Sequence, residues 1–176
     1  NRDFVKLEAP ETRALVRFLR EWDPAIVFDG HTTNGSPHRF LITYAGRKVP
    51  AGDAEIISYT YDKFLPGLQQ GVKENAGFDT FLYGNFENDH TQWSTFPAEP
   101  RYGTNYIGLR NRLSVLSESY SYASYEDRIR GTLGFAREIL NYASQNKEEI
   151  PTLLRQADER AAAGSGEVAL RTEAVP

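Results

Sequence analysis

Apolar residues recur at helical spacing over 9–22, where Ala14, Leu15, Leu19 and Trp22 share one side and Pro10 stands near the start. That pattern predicts an amphipathic helix. Asp23 and Pro24 end it, and the apolar run Ala25, Ile26, Val27, Phe28 predicts a short buried strand over 25–29. Residues 39–45 predict a second strand, closed by Gly46. The spacing of Ile56, Ile57, Tyr61 and Phe64 predicts a helix over 53–64, with Pro66 kinking or ending it. Residues 77–108 show no sustained period and are dense in Gly, Pro, Asn, Asp and aromatics. So long an irregular stretch inside a domain points to function. LSVLSE, ending at Glu118, predicts another strand with a carboxylate at its close. Ser124 and Asp127 form a capping-box start to a long helix, whose Tyr125, Ile129, Leu133, Ala136, Leu140 and Ala143 make one apolar stripe. A mostly polar helix, expected at the surface, follows over 151–163. Helices alternating with short apolar strands predict the α/β class, a mixed, mostly parallel sheet flanked by helices.

Composition narrows what such a chain can be. At 176 residues, 40% hydrophobic, with 10 Phe, 10 Tyr and 2 Trp, it has the material for one folded domain. A net charge of -4 without a basic run argues against nucleic acid and anionic membranes as partners. No apolar run approaches the roughly 20 residues that span a bilayer, and no signal-peptide pattern is present. The absence of cysteine removes disulfides and thiolate metal sites. The lack of methionine and the strand-like alternation after Gly164-Ser165-Gly166 suggest that both ends are cuts through a longer protein. Residues 165–176 are expected to begin a further strand or a linker.

Candidate chemistry gathers where strands are expected to stop. The strand over 25–29 runs out at Asp29 and His31, and the later one at Glu118. In open α/β sheets, ligands sit just beyond the carboxyl ends of strands. A neutral imidazole there can hold a metal, with a neighbouring carboxylate fixing its tautomer. Taken singly, His31 also fits a solvated turn and Glu118 a surface charge; together they are the basic parts of metal-assisted hydrolysis. At the chain's start, Asn1 and Arg2 place a guanidinium beside an amide, a pair suited to gripping a carboxylate.

The opening NRDF, the HTTNGS after an apolar strand and the LSVLSE before an aromatic-rich loop resemble the zinc carboxypeptidases of the carboxypeptidase A type. The resemblance spans nearly the whole chain in the family's order. It implies a carboxypeptidase-like α/β/α sandwich, with residues 1–164 forming the C-terminal part of a catalytic domain. Asn1 and Arg2 would bind the C-terminal carboxylate of a peptide substrate, His31 would be the third zinc ligand, and Glu118 would activate the zinc-bound water. The family's mobile tyrosine maps to Tyr102, with Tyr106 the second candidate. Secretion, or export to a periplasm, is the setting the resemblance favours.

The sequence departs from the family in one respect: the His-x-x-Glu pair supplying the first two zinc ligands would lie upstream of Asn1. His38 precedes an expected strand and His90 lies in the irregular stretch, so structural or solvated roles are expected for both. Arg110 and Arg112 are not assigned to oxyanion stabilisation. Zinc is thus expected in the full-length parent and to bind this chain only weakly. An aspartoacylase-like deacylase, with Asp29-Gly30-His31 as its Asp-x-His, and a metal-free binding module on the same fold are the alternatives. Self-association is expected if part of the sheet is missing, because bare strand edges recruit other chains.

Overall fold

The structure, a computed structural model, describes residues 2–87 and 89–164; Asn1 and the segment 165–176 lie outside the described residues. In chain order the elements are α1 (Pro10–Trp22), β1 (Ile26–Thr32), β2 (Ile42–Gly46), α2 (Ala54–Tyr59), α3 (Leu65–Gly71), β3 (Thr80–Leu82), β4 (Asn85–Glu87), β5 (Gln92–Ser94), α4 (Gly103–Leu109), β6 (Leu113–Ser119), α5 (Tyr125–Gln145) and α6 (Glu149–Ala162). The main sheet has the order β1-β6-β2-β3, while β4 and β5 form a separate ribbon. β1 pairs with β6 and β2 with β3 in parallel, whereas β2 and β6 are antiparallel. This is a mixed, mostly parallel α/β sheet. No described helix is long and apolar enough to cross a membrane.

Alternation along the strands sorts side chains onto two faces. Phe28 and Val115, paired across β1 and β6, point to one face, where Phe135 of α5 packs against Phe28 and Tyr44 at ring-centroid distances of 6.2 and 5.8 Å. The core on that face takes in Ile42, Leu113, Ile56, Phe64 and Leu68. Asp29, His31, Leu116 and Glu118 occupy the opposite face by the same alternation.

The stretch over 77–108, expected to be irregular, holds β3, β4, β5 and α4, and the strand expected over 25–29 runs on through His31 to Thr32 because each residue pairs with β6. Three helical regions also differ from the sequence reading, each for a packing reason. The helix begun at 54 does not end at Pro66 but runs on through π-helical turns at Thr60–Phe64 and Val72–Ala76. Proline lacks the N–H and crowds the carbonyl four residues back. A π turn, in which Leu65 N–H bonds to Thr60 O, shifts the ladder just where Pro66 follows. In α5 the sheet takes Gly131, Phe135 and Ile139, not the expected stripe, whose Tyr125 and Leu140 stay 73% and 70% exposed. A Cβ on Gly131 would meet Leu41 at 2.9 Å, so the helix lies closest to the sheet along its glycine face. The helix expected to be a polar surface element, α6, buries Ile150, Leu154 and Ala157 in the core.

Candidate active site

The parallel register of β1 and β6 sets His31 opposite Glu118 and Asp29 opposite Leu116. Two strand ends read separately in the sequence are therefore neighbours on one face of the sheet. His31 Nε2 lies 2.8 Å from Asp29 Oδ1, two residues back on the same side of the strand. With the carboxylate accepting, Nε2 carries the proton and Nδ1 holds the free lone pair. Such a carboxylate–imidazole pair fixes the orientation of a metal-ligating or proton-accepting ring.

Glu118 is only 8% exposed. Burial pushes its carboxyl above the usual range, the Asp29 charge adds to the rise, and His31 opposes it. Thr43 of β2 pairs with Glu118 across the antiparallel ladder, and its buried hydroxyl has no hydrogen-bond partner among the described residues. The face around Glu118 thus holds polar groups that the local fold leaves unspent.

A cavity of about 60 Å³ opens on this face, floored by Asp29, Leu116 and Glu118 and walled by Arg2, Tyr83, Phe96 and Tyr102. The Arg2 guanidinium lies over the Tyr102 ring at 5.9 Å, and Tyr102 meets Phe96 at 5.0 Å. Of the residues singled out in the sequence, Arg2, Tyr102 and Glu118 share this cavity, and His31 reaches it through Asp29. Tyr106 packs its ring on Phe4 at 5.0 Å and is not among the lining residues. Asn1 lies outside the described residues.

The two remaining histidines have other surroundings. His38 lies against Tyr120 with tilted rings and centroids 4.5 Å apart, and burial pulls its pKa down. His90 sits against Phe86 at 5.0 Å. Arg112 is spent on Asp23 at 2.6 Å and Asp158 at 3.0 Å, a tie between the start of the sheet and α6.

Tyr83 and Phe96 were not singled out in the sequence. Both belong to the irregular stretch over 77–108, whose composition announced function without telling its aromatics apart. Phe96 is held in place from behind by Lys48, whose ammonium lies 3.4 Å from the ring centroid and bonds to Phe96 O at 3.2 Å. Burial draws the Lys48 pKa down to about 7.

Among the described residues no group of three or more His, Asp or Glu is arranged to hold a metal ion. His31 has the free nitrogen one ligand needs, and a three-residue catalytic site would need at least one ligand from beyond the described residues. Comparison with family models, with curated proteins and with solved structures finds no match.

Proposed function

We propose that this chain carries the carboxylate-gripping and proton-accepting half of a zinc carboxypeptidase-like hydrolase, which removes C-terminal residues from peptides. The observation that carries the reading is the convergence of Arg2, Glu118 and Asp29, which is bonded to His31, on one small cavity over two parallel strands. Arg2 grips the substrate carboxylate, with Tyr102 stacked beneath its guanidinium. Glu118 takes a proton from the attacking water and returns it to the leaving amine, a task for which a raised carboxyl pKa is suited. Asp29 bonds His31 Nε2, which leaves Nδ1 as the nitrogen that would ligate a metal. Zinc, when bound, polarises the scissile carbonyl and acidifies its water.

The test is release of a C-terminal residue from blocked dipeptides by the polypeptide that carries this sequence. Glu118→Gln is expected to lower kcat by a factor of roughly 10²–10⁴, the range of a lost general base. Hydrolysis unaffected by that change would overturn the assignment. The Asp29–His31 bond also suits an aspartoacylase-like deacylase. Turnover of N-acyl amino acids in preference to peptides would select that reading. Turnover of neither would leave a binding module on the same fold.

A further inference from the structure

The cavity wall that carries Phe96 and Tyr102 is anchored from its far side by residues just beyond β2. Lys48 N–H bonds to Asn105 Oδ1 at 2.8 Å, and Asn105 Nδ2 donates to Glu99 O at 3.0 Å and to Pro97 O at 3.4 Å. Asn105 is fully buried, so one amide ties the main chain at 48 to the segment 97–99. The Lys48 side chain then lies along the same segment. Its ammonium donates to the Thr95 hydroxyl and, at 3.2 Å, to Phe96 O, and it stands 3.4 Å from the Phe96 ring centroid. Phe96 passes the contact on. Its ring meets Tyr102 at 5.0 Å, and the Arg2 guanidinium lies over the Tyr102 ring at 5.9 Å. Lys48, Phe96, Tyr102 and Arg2 thus form a ladder of cation, ring, ring and cation, running from behind the wall into the cavity.

Among the described residues no carboxylate pairs with Lys48. Glu99, on the segment it touches, is paired with Arg101, and Asp53 with Arg160 at 2.8 Å. The preceding residue, Arg47, spends its guanidinium on Gly108 O at 2.8 Å and Val49 O at 3.1 Å, and the Tyr61 hydroxyl donates to Arg47 O. Asp29 and Glu118 stand on the cavity floor, with the Phe96 ring among the walls. Burial pushes the phenols of Tyr61 and of Tyr83, which meets Phe96 at 6.1 Å, above their usual range, so neither supplies a negative charge at neutral pH. Removing an ammonium from water without a counter-ion disfavours its charged form, which draws the Lys48 pKa down to about 7. The unfolded chain holds that proton up to the ordinary value of 10.5, so below it the Lys48 charge lowers the stability of the fold. A methionine of similar shape would be free of that penalty. The contacts of the ammonium all lie on the segment that walls the cavity, and that is where its charge has a use.

We propose that Lys48, in its charged form, positions the Phe96–Tyr102 wall and through it the Arg2 guanidinium, so that Arg2 binds a carboxylate well while Lys48 holds its proton and less well once the proton is lost. Lys48 is a positioning residue: it acts through the wall and not on the ligand. The inference rests on the carboxylate-binding reading of Arg2 above, but not on hydrolysis or on zinc.

Equilibrium binding of N-acetylphenylalanine to the 176-residue chain between about pH 6 and about pH 9, recorded with the Phe96 and Tyr102 ring NMR signals, tests it. Binding by wild type is expected to weaken as pH rises past about 7. Lys48→Met is expected to bind roughly two- to thirtyfold more weakly at the low-pH end, the span of a lost cation–π contact, with a urea midpoint no lower than that of wild type. Lys48→Arg, which keeps its charge over the whole range, is expected to hold the affinity at both ends. Glu118 and His31 also stand near the ligand, so the signature is the part of the pH step that both Lys48 variants remove. Lys48→Met binding within twofold of wild type at low pH, with loss in Arg2→Gln, would overturn the Lys48 role and leave the carboxylate reading intact. Weaker binding that comes with a lower urea midpoint and an unchanged pH step would make Lys48 merely structural and overturn the role as well. No binding by wild type at millimolar probe would overturn the carboxylate reading. The ring signals judge Lys48 apart from that reading: they are expected to follow the step in wild type and to lose it in Lys48→Met, and identical pH courses in the two chains would overturn the positioning role.

Discussion

β1 and β6 run side by side in register from Ile26 and Leu113 to Thr32 and Ser119, and they are sealed very differently. Every residue of β6 is buried, whereas β1 is half-buried throughout with two exposed positions. The cause is position in the sheet: β6 has strands on both sides, and β1 is the edge. The helices beside that edge share its openness. On one side α5 leaves Tyr125, Ile129, Leu133 and Leu140 exposed, with apolar grooves running between it and β1. At the other end of the chain α1 buries Leu19 alone and leaves Phe18 and Trp22 stacked on each other at 6.1 Å in solvent. The candidate site lies on the seam between the two regions, with Glu118 on the sealed strand and His31 on the open one. Buried Glu118 lies on the closed side, and His31 lies on the strand where the described sheet stops.

The contrast is broken most forcefully by matched substitutions. Phe135→Ala, at the sealed centre of α5, is expected to cost ~3–5 kcal/mol in urea unfolding. Leu140→Ser, five residues along the same helix but 70% exposed, is expected to change stability by less than ~0.5 kcal/mol. Comparable losses at the two sites would mean that the α5 stripe is already covered.

The next effect concerns association. An unpaired edge strand flanked by exposed apolar side chains is expected to recruit a second copy at micromolar concentration. Sedimentation should show oligomers, and Ile129→Glu combined with Leu140→Lys should shift the chain toward monomer. A wild-type chain that sediments as a clean monomer would remove the basis of the comparison.

The smallest effect lies on the seam. A carboxyl whose folded pKa is raised is less easily ionised in the folded than in the unfolded chain. Stability therefore falls as pH rises from the ordinary carboxylate value of 4.5 through the raised one. Glu118→Gln is expected to be more stable than wild type at pH 7, with the difference fading below about pH 4. Denaturant midpoints across that range check the sign, and a less stable Gln variant at pH 7 would show that Glu118 is held as a charge.

Local chemistry was legible from the residues because it needs only neighbours. Ser124 caps α5 as its spacing with Asp127 implied, accepting Asp127 N–H at 3.1 Å. The apolar starts of β1 and β6 were visible as runs, though β1 continues through Asp29 and His31 to Thr32, and the class followed from their alternation with helices. What the period of a helix or strand cannot encode is which of two usable faces the rest of the molecule will take. In α5, Gly131, Phe135 and Ile139 repeat at helical spacing as faithfully as the expected stripe, and only the close approach of Leu41 and Ile42 selected between them. Pro66 was rightly a threat to an ideal helix, but a change of hydrogen-bond register one turn earlier accommodated it. The same limit governs the site. Arg2, His31 and Glu118 could be picked out by residue type and Tyr102 by the resemblance, while the meeting of Glu118 with the Asp29–His31 pair depends on a strand register linking distant parts of the chain. Tyr83 and Phe96 were hidden among the aromatics of an aperiodic segment until the fold set both on the wall of one cavity. Sequence determined the elements and their chemistry because backbone propensity and capping act over a few residues; only tertiary structure decided which groups share a cavity, because burial is settled by the whole sheet at once.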